Sequence, residues 1–181
     1  MKSLDEAWEW YLSTRKALKL VHRLARNHWD SWDENSPIGR DNNFRNTDGK
    51  KLGDETDSAK AHLADFAVFV LFSVFEGEVR ELILDRTANE RSALRHQVLT
   101  NWAKKLEDGL RHGSFGHLLD AVKTTELHDL IEAVSQVRHY RNWVAHGRRG
   151  KPQQNVDPSE AYRRLRALLN ALQQPPDPSP A

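Results

Sequence analysis

Arg141, Asn142 and His146 lie in the run Val137-Arg138-His139-Tyr140-Arg141-Asn142-Trp143-Val144-Ala145-His146-Gly147, and their side chains suit chemistry at a phosphodiester. A guanidinium offers a rigid fork that matches phosphate oxygens and stays charged at any working pH. Imidazole titrates near neutrality and serves as base or acid. Cleaving RNA without a metal requires the 2′-hydroxyl to lose a proton, the 5′-oxygen to gain one, and charge on phosphorus to be stabilised. Arg141 would hold the phosphate and its transition state, His146 would move a proton, and Asn142 would orient one or the other. The expected products are a 2′,3′-cyclic phosphate and a 5′-hydroxyl. No metal and no cofactor is expected, because no His, Asp and Glu spacing in the chain resembles a closed metal site.

The surroundings of these residues are cationic. Ala133 to Val156 carries no acid, while Arg138, Arg148, Arg149 and Lys151 fall inside it and form the expected RNA-binding set. Read on charge alone, such a stretch is more often a solvated basic loop. On a helical wheel Leu127, Leu130, Ile131, Val134, Val137 and Val144 form one apolar stripe with Arg141 at its centre. A charge there must meet a carboxylate, a subunit boundary or an anion, and Glu76 is the expected partner. A purely structural Arg141–Glu76 pair is the competing reading. Asn142 and His146 share the flank of the stripe with Ser135 and Arg138. His146, in the last helical turn, would by itself be read as a C-terminal cap. Tyr140 and Trp143 point off the stripe, toward another element, a subunit or a base.

This run resembles the signature of the HEPN superfamily, an arginine, often with a polar residue directly after it, and a histidine with four to six residues between the two. Similar spacings occur at Arg15–His22, Arg23–His28, Arg91–His96 and Arg111–His117, but only at Arg141 does an asparagine follow, a glycine close the helix behind the histidine, and one more helix come after. Phe75-Glu76 and Arg80 look like the polar positions that such proteins place near the site, which makes Glu76 and Arg80 supporting residues. The resemblance implies an all-helical fold and a metal-independent endoribonuclease of the prokaryotic toxin or defence type. The alternative it leaves is a non-catalytic interaction or nucleotide-binding module in a toxin–antitoxin or defence complex, with an antitoxin or defence protein as partner. One histidine cannot easily make both proton transfers, and Arg141 and His146 stand about 140° apart around the helix. A homodimer joined through the motif helix would bring two copies of each into one cleft, as the resemblance also implies.

The elements that must position these residues read as helices throughout. Leu4, Trp8, Tyr11, Leu18, Val21 and Leu24 predict a first helix over 4–27. Residues 31–56, rich in acids and holding Gly, Pro and three Asn, read as a long polar loop or insertion. Thr56, Asp57 or Ser58 would cap a second, central helix running to about Asp85. Thr87 and Glu90 read as a capping box for a third, with Leu94, Val98, Trp102 and Leu106 on one face and Gly109 as its stop. Phe115 to Val122 reads as a short helix, Thr124 or Thr125 as the cap of the motif helix, and Gly147 as its end. Asp157-Pro158-Ser159-Glu160 opens a last helix to about Gln173, and 174–181 reads as a disordered proline-rich tail. The expected fold is an all-α antiparallel bundle of five or six helices, one domain over 1–173.

Composition narrows the rest. At 29% charged and 38% apolar the 181 residues suit a globular core with a wet surface. The longest apolar stretch, Phe66 to Phe75, is broken by Ser73 and falls far short of the roughly 20 residues of a membrane span. The start of the chain places acids where a secretory signal has basic residues. The absence of cysteine excludes disulfides, thiolate-bound zinc and a cysteine nucleophile, and with the missing signal it points to the cytoplasm.

Overall fold

The computed structural model describes residues 1–31, 33, 40–42, 47–92, 94–152 and 154–174. Among them the regular structure is helical throughout: α1 (Leu4–Asn27), a 3-10 turn (Trp29–Ser31), α2 (Gly49–Ser92), α3 (Gln97–His112), α4 (Phe115–Ala121), α5 (His128–Ala145) and α6 (Pro158–Gln173). This is the expected all-α bundle. Among the described residues no helix is long and apolar enough to cross a membrane.

At 44 residues α2 is the axis of the fold, about 66 Å long at 1.5 Å per residue. Its middle is buried on Val68, Leu71, Phe72, Phe75 and Val79. Against it pack Ile131, Val134 and Val137 of α5, Leu165, Leu168 and Leu169 of α6, and Phe115, Leu118 and Leu119 of α4, all in one core cluster. Phe72, Phe75 and Phe115 meet with ring centroids 5.6 to 6.1 Å apart, the geometry that aromatic quadrupoles favour. α1 closes on α6 through Trp8 stacked on Tyr162 at 4.8 Å and through Tyr162 Oη donating to Asp5 at 2.8 Å. The Asp157 side chain accepts from the backbone N–H groups of Ser159 and Glu160 at the start of α6, as its sequence predicts.

Several helix boundaries differ from the sequence reading. α2 begins at Gly49, not at Thr56 to Ser58, and the Asp48 side chain accepts from the Lys50 N–H. The acids that suggested a loop pair instead with α1: Arg26 reaches Asp54 at 2.6 Å and His22 reaches Asp57 at 3.1 Å. Gly49 and Gly53 let the helices approach, for a Cβ on either would collide with Trp29, Ala25 or Arg26 at 2.6 to 2.8 Å. Residues 32, 34–39 and 43–46 of the expected loop, and 175–181 of the expected tail, lie outside the described residues.

At its other end α2 runs through the supposed capping box. Thr87 Oγ1 donates back to the Ile83 carbonyl at 2.8 Å, so the threonine sits inside a helix instead of opening one. α3 starts at Gln97, with His96 Nδ1 accepting from Val98 N–H, and passes through Gly109 to end at Gly113. α5 starts at His128 after a turn, later than Thr124 or Thr125 would have placed it.

Candidate functional site

α5 ends in a Schellman arrangement. Gly147 N–H donates to Val144 O at 3.0 Å and Arg148 N–H to Trp143 O at 2.9 Å, with Gly147 at φ 73°. The expected glycine stop is therefore in place. Arg148 follows at φ 60°, a left-handed conformation unusual outside glycine, and its guanidinium pairs with Asp65 of α2. Asp65 also accepts from Tyr140 Oη at 2.6 Å. Burial pushes the Tyr140 phenol above its ordinary value. Trp143 lies 5.5 Å from the Tyr140 ring and donates from Nε1 to the Gly150 carbonyl at 3.0 Å. The wheel placed both aromatics off the apolar stripe, but the loop after α5 folds back and encloses that flank. Tyr140 and Trp143 thus serve the chain's own packing, and Arg148 is occupied by Asp65, whereas Arg149 and Lys151 are exposed.

The stripe of α5 behaves as predicted up to Arg141. Glu76 does not reach it: Glu76 Oε1 accepts from Arg80 Nη2 at 2.7 Å, an i,i+4 pair on α2. Arg80 also donates to the carbonyls of Leu110 and of Gly113, the latter at 2.9 Å, and lies 5.6 Å from the Phe115 ring centroid. Glu76 and Arg80 therefore fasten the α3–α4 corner to α2. Arg141 is seated over aromatic rings, with its guanidinium carbon 5.0 Å from the centroid of Phe69 and 5.6 Å from that of Phe72. Its Nη1 donates to Asn142 Oδ1 at 3.0 Å, and its buried Nε has no partner. Three residues earlier Arg138 also has a buried Nε without a partner, and its Nη1 lies 2.0 Å from where a Cβ on Gly116 would stand. Gly116 at the start of α4 thus leaves room for the Arg138 guanidinium.

Asn142 links the motif. Its side-chain oxygen accepts from Arg141, and its backbone oxygen accepts from the His146 N–H at 2.9 Å. His146 caps α5 through its backbone, and its imidazole is exposed. No family model, no curated protein and no solved structure matches this chain. The site is therefore read from its own geometry.

That geometry holds two half-buried arginines with no carboxylate partner among the described residues. Leaving a guanidinium N–H buried and unsatisfied is costly. The sequence reading passed over Phe69 and Phe72 as the seat of Arg141 and Gly116 as the space for Arg138. His139 is exposed and stands seven residues before His146, two turns along the same face and about 10.5 Å away along the axis.

Proposed function

We propose that the chain is a metal-independent endoribonuclease of the HEPN type, with Arg141, Asn142 and His146 at its centre. The observation that carries this reading is the carboxylate-free pair Arg138 and Arg141, held on one face of α5 with their Nε groups unsatisfied. Such a pair suits the two non-bridging oxygens of a phosphodiester. Asn142 fixes the orientation of Arg141, and the exposed imidazole of His146 transfers a proton. A second imidazole comes from His139, two turns along the same face of α5. Arg149 and Lys151 extend the positive field toward the RNA backbone. In this reading the protein acts in the cytoplasm as a toxin or defence effector, with an antitoxin or defence protein as its regulator.

The test is cleavage of a structured RNA in EDTA. The expected result is retained activity that yields 2′,3′-cyclic phosphate ends, since side chains fill every role the reaction requires. Loss of cleavage on chelation, with recovery on adding magnesium or manganese, would refute the mechanism.

A substitution at α4 tests the placement of Arg138. Gly116→Ala puts a methyl group where Arg138 Nη1 now lies and displaces a flexible side chain while leaving the backbone intact. RNA affinity should fall about tenfold, close to 1.4 kcal/mol, with the melting temperature little changed. Filter binding alongside calorimetry would show it, and unchanged affinity would remove Arg138 from the site.

A further inference from the structure

α3 is amphipathic, yet none of its residues is buried. Its inner side is firmly anchored. Glu107 Oε2 accepts from Arg91 Nη1 at 2.5 Å, and Arg80 donates to the Leu110 carbonyl. Its outer side exposes Val98 (53%), Leu99 (52%), Trp102 (71%) and Leu106 (58%), and Leu94 (38%) continues the patch just before the helix. Among the described residues nothing covers these side chains. With about 150 to 250 Å² for a whole apolar side chain, they present roughly 500 Å² of surface, at the upper end of what a monomer leaves in water.

We propose that this face joins two copies of the chain, antiparallel about a two-fold axis near Trp102. Two observations select a second copy as the occupant. Val98, Trp102 and Leu106 are spaced four residues apart, so the stripe is symmetric about Trp102. An antiparallel pairing sets Val98 of one copy against Leu106 of the other and brings the two indoles together, which makes the patch its own complement. Second, the patch by itself is small for a stable interface, but two copies hide roughly 1,000 Å² of apolar surface, the size at which specific dimers begin. α5 offers no such area. Its exposed positions include Glu132, Gln136, His139 and His146, and its large aromatics are turned inward. This pairing stands independently of the role assigned to Arg141.

Sedimentation equilibrium of the full chain at micromolar concentration tests the proposal. The wild type should be dimeric. Leu106→Glu and Trp102→Ala should each raise the dissociation constant by a factor of about 30 or more, as substitution of a central anchor does. Because both side chains are exposed, helical content by circular dichroism should stay at wild type, while the melting temperature falls to that of the separated chain. Since the chain has no cysteine, Asn101→Cys adds a probe beside the axis that leaves the stripe intact. Mild oxidation should link it into a covalent dimer, while Lys16→Cys on α1 should stay monomeric. A wild type that is monomeric throughout, as when another segment of the chain or a different protein covers α3, would overturn the proposal. A dimer indifferent to Leu106→Glu and Trp102→Ala, or equal cross-linking at both cysteines, would do so as well.

Discussion

His146→Ala should cut RNA cleavage by about 100 to 10,000-fold while leaving folding and RNA affinity near wild type. The backbone and the imidazole of this residue are separable. Its capping function belongs to the backbone, whose N–H donates to the Asn142 carbonyl at 2.9 Å, and alanine keeps that bond. Its imidazole is exposed, so removing it opens no cavity. Arg138 and Arg141 remain to bind the phosphate. The loss should therefore appear in the bound-state rate and not in binding, as single-turnover kinetics at saturating enzyme would resolve. Wild-type cleavage by the variant would reduce His146 to a helix cap and end the ribonuclease reading at this site.

Arg141→Lys should cost on the order of 100-fold in cleavage, the usual consequence of removing one donor from a charge-stabilising site. The ammonium keeps the charge but loses the planar fork and the Nη1 bond to Asn142 Oδ1. Seating over Phe69 and Phe72 also weakens, at a cost to stability of about 1 kcal/mol, visible as a shift of a few degrees in melting temperature. The expected pattern is a folded variant with weak cleavage and reduced affinity. If Arg141 were only a structural residue, the variant would lose stability and activity in the same proportion, and raising stability with an osmolyte would restore both.

What the sequence made legible follows from how local each signal is. α1 and α6 have the predicted bounds because each carries an uninterrupted apolar period and a cap within one turn, Ser3 and Asp157. Gly147 was equally plain, since a left-handed C-terminal residue is a local demand. The start of α2 was hidden because Asp54 resembles a loop acid until Arg26 of another helix stands beside it. Thr87 and Glu90 matched a capping box, yet threonine inside a helix satisfies its hydroxyl on the previous turn.

At the site, the wheel put Arg141 on the core face of α5 but could not tell which α2 residues lie at its height. Those residues are Phe69 and Phe72, while Glu76 finds Arg80 on its own helix, a partner that its i,i+4 spacing already offered. The stripe Val98–Trp102–Leu106 was visible as well. Periodicity shows that a helix has an apolar face, and only the fold shows that the described chain leaves this one uncovered.

The closure of α1 onto α6 sets an order on synthesis. Asp5 and Trp8 find Tyr162, and Asp5 also finds Arg166, only after more than 150 intervening residues have been made. α6 also covers α5, with Arg164 Nη1 donating to Gln136 Oε1 at 2.7 Å. A chain that ends before Pro158 therefore lacks the helix that covers the Gln136 flank of α5. The first and last described helices can therefore meet only once α6 has been made.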